Sequence, residues 1–184
     1  MTSGDYIHLS SGSYECNIEG SNCATSISML SILSLSGSII CVSDAADCVL
    51  DGKGQKRGLY VKGSGGPTLI LRAITFKDGW ASSNGGGISA REGAILDIIL
   101  CKFISNEIAG TSASTNGGGG INVNDAIVNI YATVFSGNTA GSDGYGGDIR
   151  IIANSGTITI HNTCPSPYSS TTPMQGKQSY GCYF

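Results

Sequence analysis

The sequence predicts an all-β fold: a single-stranded right-handed parallel β-helix, a solenoid of about six coils with disulfide-stabilised ends. Three observations carry that expectation. The first is composition. The 184 residues include 28 glycines and 26 serines, and 22 isoleucines against 10 leucines. A glycine inside a helix costs up to about 1 kcal/mol relative to alanine, whereas β-branched side chains suit a pleated surface. The second is an internal repeat. Aligned on phenylalanine, Thr68 to Phe76 reads TLILRAITF, Ile95 to Phe103 reads ILDIILCKF, and Ile127 to Phe135 reads IVNIYATVF. A glycine landmark follows each: Gly85-Gly86-Gly87-Ile88, Gly118-Gly119-Gly120-Ile121 and Gly146-Gly147-Asp148-Ile149. The third is alternation at strand period. Leu69, Leu71 and Phe76 face one way, as do Leu96, Ile98 and Phe103, then Val128, Ile130 and Phe135, while Asp97, Asn129 and Thr159 face out. Units this short cannot bury an inner face alone, so they must stack. An antiparallel sandwich would also show short strands, but not the same glycines at the same phase of every unit.

Along the chain, one domain is expected over 1–184. Residues 1–57 form an N-terminal Cys-rich cap and the first coils. Repeat coils occupy 58–163: Leu59, after Gly58, opens the series 29 residues before Ile88, and a partial last copy, Thr157 to Thr163, reads TITIHNT. The tail 164–184, bracketed by Cys164 and Cys182, closes as a C-terminal cap. Caps matter because bare strand edges invite end-to-end or side-by-side self-association.

Seven cysteines without a Cys-x-x-Cys spacing or a Cys/His cluster point to bridges rather than to zinc. Cys16, Cys23, Cys41, Cys48, Cys164 and Cys182 supply six half-cystines. Cys101, inside a repeat, is left to pack as a small apolar residue. Spacing leaves the pairing of the first four open between Cys16–Cys23 with Cys41–Cys48 and a crossed arrangement. Bridges imply an oxidising compartment, hence a secreted or cell-surface chain, although no signal peptide is visible at Met1. The most apolar stretch, Ile27 to Val42, is interrupted by five serines, so no membrane insertion is expected. Ten Lys/Arg against thirteen Asp/Glu, with no basic run, argue against nucleic acid.

The Gly-Gly-x-Ile tetrads, with F-x-x-N at Phe103-Ile-Ser-Asn106 and Phe135-Ser-Gly-Asn138, resemble the repeats of chlamydial polymorphic outer-membrane proteins. Phe76-Lys-Asp-Gly79 departs from the pattern, with Gly where Asn is expected. Upstream, Cys48-Val-Leu-Asp51-Gly52 through Leu59-Tyr-Val61 resembles the first coil of pectate-lyase-like β-helix proteins. Together these resemblances cover about residues 48–163. They imply a secreted or surface-displayed rod with an adhesive role.

Candidate functional residues follow from the predicted columns. If the chain is a carbohydrate-active enzyme (a lyase, hydrolase or epimerase), Asp97, Tyr131 and His161 form the best outward cluster. One carboxylate is too few for a calcium site or a two-carboxylate hydrolase, so no catalytic residue, metal or cofactor is expected. The long loops 78–84, 106–116 and 138–145 leave the rod at one phase and should stack on one edge. Trp80, Asn84, Asn116 and Tyr145 are the binding candidates there, for a glycan or a surface protein, since binding residues favour loops on a rigid scaffold. Phe76, Phe103, Phe135, Asn106, Asn138, Gly86, Gly87, Gly119, Gly120, Gly146 and Gly147 read as structural. After the glycines, the columns Tyr60, Ser89, Asn122, Arg150 and Lys62, Arg91, Asn124 should form an exposed, mildly basic, solubilising face; an acidic glycan is the ligand it could take. Ice binding is a further alternative, with the Ser28 to Ser38 run nearest to the regular array it needs. The expected function is a non-enzymatic structural or adhesive module.

Overall fold

A computed structural model describes residues 5–15, 28–33, 36–43, 47–63, 68–109, 117–141, 146–152, 156–161 and 163. Every regular element among them is a β-strand, and the strands pair in parallel into a β-solenoid. The chain passes through β1 (Asp5–Leu9), β2 (Gly12–Glu15) and β3 (Ser28–Leu33), then β4 (Gly37–Cys41), β5 (Cys48–Asp51) and β6 (Arg57–Lys62). The next pass gains a fourth short strand: β7 (Thr68–Arg72), β8 (Thr75–Lys77), β9 (Trp80–Ala81) and β10 (Ile88–Arg91). The same four-part order recurs in β11 (Ile95–Ile99), β12 (Lys102–Ile104), β13 (Glu107–Ile108) and β14 (Ile121–Asn124). It recurs again in β15 (Ile127–Tyr131), β16 (Val134–Ser136), β17 (Thr139–Ala140) and β18 (Ile149–Ile152), before β19 (Thr157–His161).

Four faces result. The long face stacks β1-β4-β7-β11-β15-β19, the phenylalanine face β2-β5-β8-β12-β16, the narrow face β9-β13-β17, and the glycine-led face β3-β6-β10-β14-β18. Two faces hold five strands, which bound four turns, and only the long face reaches six strands. The solenoid therefore makes about four turns, not the six coils expected. The discrepancy is one of counting: stacked strands outnumber the turns between them.

Register follows the repeat. Phe103 is the Cα partner of both Phe76 and Phe135, and Ile88, Ile121 and Ile149 are partnered in series with Leu59 at their head. Inside, the side chains from Leu59, Val61, Leu69, Leu71, Ile88, Leu96, Ile98, Ile121, Val128 and Ile130 form one continuous core. The three phenylalanine rings stack face on face, at 5.0 Å and 10° between Phe76 and Phe103 and at 4.9 Å and 8° between Phe103 and Phe135.

That stack explains one glycine column. A methyl group at Gly87 would lie 2.5 Å from the Gly120 carbonyl oxygen and 2.9 Å from the Phe103 ring. Gly58 and Gly120 stand in the same relation to Phe76 and Phe135. In the last pass Asp148 occupies this position. A second column, Gly85, Gly118 and Gly146, has φ of 74°, 70° and 65° and makes the turn into the glycine-led face.

Most of the other corners are built from residues other than glycine. Ala73, Leu100 and Ala132, with φ of 57°, 54° and 45°, turn the chain from the long face to the phenylalanine face. Asp78 and Ser105 do the same at the next corner, at 46° and 53°, where the following pass uses Gly137 at 65°. Each left-handed non-glycine residue costs roughly 1–2 kcal/mol. Stacking of the flanking strands holds these residues there.

Asn106 and Asn138 form a buried amide ladder just past the phenylalanines. The Asn106 Nδ2 donates to Asn138 Oδ1 at 2.9 Å and to the Phe76 carbonyl at 3.0 Å, and its Oδ1 accepts from the Gly79 amide at 2.9 Å. Asn138 Nδ2 donates in turn to the Phe103 carbonyl at 3.0 Å and to Asp148 Oδ1 at 2.9 Å. The departure from the motif at Gly79 now has a reason. A methyl group there would lie 2.7 Å from Asn106 Oδ1, so the ladder begins on a bare backbone amide.

A disulfide joins Cys41 to Cys48, with Cα atoms 5.8 Å apart, and ties the end of β4 to the start of β5. Cys16, Cys23, Cys164 and Cys182 lie outside the described residues, and with them the remaining expected bridges and the closure of the tail.

Candidate functional site

The long face presents the outward columns read from the sequence. Ile70, Asp97, Asn129 and Thr159 stand in register, as do Arg72, Ile99, Tyr131 and His161. Tyr6 and His8 continue these columns on β1 through Ser38 and Ile40. The polar side chains bond within the face. Asn129 Nδ2 donates to Asp97 Oδ1 at 2.8 Å, and the Tyr131 and His161 rings stack at 5.1 Å and 4°. Asp97, Tyr131 and His161 thus share one face, with the carboxylate held by its ladder neighbour and the two rings held by each other.

The narrow face fixes the start of the long loops. Trp80, Glu107 and Thr139 are Cα partners on its outer side, and Ala81, Ile108 and Ala140 on its inner side. Ile108 is fully buried and Trp80 half-buried, so the described part of this edge is a short sheet anchored in the core. Trp80 stands on the strand itself. Asn84, a second binding candidate, is buried with φ of 55°, and its carbonyl accepts from Arg57 at 2.9 Å. Asn116 and Tyr145 lie outside the described residues.

The glycine-led face differs most from expectation. Its columns are in the predicted register, but Ser89 and Asn122 are fully buried rather than exposed. Arg57, at the head of β6, is buried too. Its guanidinium donates to the carbonyls of Gly85 at 2.7 Å, Ser83 at 2.7 Å and Asn84 at 2.9 Å. Burial, and then the charge of Arg91, lower its pKa to about 10. Alternation of the strand pattern revealed which way Ser89 and Asn122 point; whether anything covers them is not a property of that pattern.

Cys101 is a free thiol, 1% exposed, bonding weakly to the Ile99 and Leu71 carbonyls. Burial pushes its pKa up to about 12 from 9.0. A thiol with a raised folded pKa stabilises fully below its unfolded pKa and loses that contribution as pH rises through the folded one. Native stability should therefore fall from about pH 9 towards pH 12, an effect absent in Cys101→Ala. Peptide mapping after iodoacetamide at pH 8 should find Cys101 unlabelled in the folded chain and labelled in denaturant. Labelling at equal rates in both would contradict this.

Comparison with known protein families, curated proteins and solved structures finds no match. Among the described residues no group of three His, Cys, Asp or Glu side chains could hold a metal ion, and no helix is long and apolar enough to cross a membrane. Ser28 and Ser38, from the run weighed for ice binding, are buried and sit on different faces.

Proposed function

We propose that this chain is a non-enzymatic, secreted or cell-surface β-solenoid module with a structural and adhesive role. Its recognition edge is the narrow face and the loops that leave it, and its partner is a glycan or a surface protein. The observation that carries the reading is the anchoring of this edge: β9, β13 and β17 stack in register, and each leads into a loop at the same phase of its pass. A rigid scaffold beneath the recognition residues lowers the entropy cost of ordering them on a partner. The resemblance of the repeats to chlamydial polymorphic outer-membrane proteins supports the adhesive part.

A glycan array, together with attachment of protein-coated beads to cells, tests the proposal. Wild type should bind and Trp80→Ala should bind at least fivefold more weakly. No binding by either would leave a purely structural part. Turnover of an anionic polysaccharide, lost on Asp97→Ala or His161→Ala, would replace this reading with an enzymatic one.

A further inference from the structure

We infer that Arg57 is a positioning residue of the recognition edge: its buried guanidinium clamps the loop that follows Trp80 and holds it in one conformation before any partner arrives. The inference rests on the reading of the narrow face as that edge, and it names the group that makes the first of its loops rigid.

The repeat sets this side chain apart. Arg57 lies two residues before Leu59, where the next three passes carry Gly86, Gly119 and Gly147 two residues before Ile88, Ile121 and Ile149. A methyl group at Gly86 would lie 2.6 Å from the Glu107 carbonyl oxygen, so the column excludes side chains there. Arg57 carries the longest one and is only 8% exposed.

A buried charge has to be hydrogen-bonded, and three bonds of this one go to successive carbonyls of a single loop. Nη2 donates to the Ser83 carbonyl at 2.7 Å and the Asn84 carbonyl at 2.9 Å, and Nε donates to the Gly85 carbonyl at 2.7 Å. From the other side, Nη1 donates to Ser28 Oγ at 3.4 Å, and the guanidinium stands 5.7 Å over the Tyr60 ring. A planar fork meets three successive carbonyls only where the backbone curls around it. Two successive left-handed residues, Asn84 at φ of 55° and Gly85 at 74°, make that curl. Asn84 has no local reason strong enough to hold it, and the clamp supplies one.

The backbone beside Arg57 ties down the rest of the loop. The Trp80 amide donates to the Lys56 carbonyl at 2.9 Å, while the amides of Gly58 and Leu59 donate to the Gly86 and Gly87 carbonyls at 3.0 and 2.8 Å. Residues 56–59 therefore hold 80–87 at both ends, and the Arg57 guanidinium holds the middle. Trp80 is three residues from the first clamped carbonyl, so the ring and the clamp share one short segment. A segment ordered in advance loses less freedom when a partner binds.

Trp80 is the sole tryptophan of the chain, so its fluorescence reads this loop directly. In folded Arg57→Met, acrylamide should quench it about twofold faster, and the amides of 82–87 should exchange roughly tenfold faster. Arg57→Lys, whose ammonium cannot fork across three carbonyls, should fall between Arg57→Met and wild type, and it carries the comparison should Arg57→Met not fold. In Arg57→Ala, added methylguanidinium should restore wild-type quenching and methylammonium should not. Phe135→Ala, destabilised far from the loop, should quench as wild type does, which separates loss of the clamp from general loss of stability. In the bead and array assays Arg57→Met should bind roughly threefold more weakly, although Arg57 is too buried to touch a partner. Unchanged quenching and exchange in both Arg57→Met and Arg57→Lys would overturn the clamp. A loosened loop with undiminished binding would overturn its positioning role. Wild type that binds nothing would remove the recognition edge and the positioning role with it, while the quenching series would still show whether Arg57 orders the loop.

Discussion

Phe103→Ala should lower the stability of the folded chain by about 3–5 kcal/mol, the usual range for deleting a buried phenylalanine, and towards its upper end. Phe103 is fully buried and is the central ring of three, stacked on Phe76 and on Phe135. Its loss removes two ring contacts, each worth about 0.5–1.5 kcal/mol beyond simple burial. The cavity cannot close easily, because the Gly87 backbone already lies against the ring and the strands on either side are locked in register. Phe135→Ala, which removes one ring contact, should cost less, and Phe103→Leu should recover roughly half of the loss. Urea unfolding at neutral pH measures all three. A loss below about 1 kcal/mol for Phe103→Ala, or one no greater than for Phe135→Ala, would show that the stack is not the central support.

Asn106→Asp should be nearly as damaging, and its damage should depend on pH. Asn106 is fully buried, and its Nδ2 faces two acceptors, the Phe76 carbonyl and Asn138 Oδ1. An aspartate keeps the acceptor that meets the Gly79 amide but turns an oxygen towards those two oxygens. Each unmet buried group costs about 1–3 kcal/mol, so a total near 3 kcal/mol is expected at pH 7. Only the protonated acid can donate, so the folded state raises the pKa of the new carboxyl above the unfolded value of about 3.9. For a raised pKa, stability is fully present below the unfolded value and is lost as pH rises through the folded one. The variant should therefore approach wild type near pH 4 and diverge above it, measured as the difference in unfolding midpoint. Asn106→Ala should show a deficit that does not vary in this way. A pH-independent deficit in Asn106→Asp would mean that the ladder is not what the substitution breaks.

How much of this was legible before folding depends on the residue. Phe76, Phe103 and Phe135, the glycine landmarks and the outward columns could be placed in register because a solenoid converts sequence period directly into spatial stacking. The corners could not. Glycine marks the turn at Gly85, Gly118 and Gly146, but Ala73, Leu100 and Ala132 hold left-handed conformations that their own propensities disfavour. Neighbouring passes force those turns, and nothing local announces them. The sequence reads as a loop at Trp80 because a two-residue strand such as β9 leaves no periodic signature. The surroundings of Ser89 and Asn122 were half legible: alternation placed both outward, while their burial depends on what packs over them in three dimensions.

By itself, then, the amino-acid sequence determined that this chain is all β, that it repeats, and which residues of each repeat stand above one another. Strand period and repeat phase are properties of the chain alone, and parallel stacking preserves them. Only the tertiary structure decided the number of turns, the pairing of Cys41 with Cys48, the non-glycine corners and the burial of Arg57, Ser89 and Asn122. Each of these is a contact between residues far apart in the chain, set by how one pass lies on the next and not by the residues beside it in sequence.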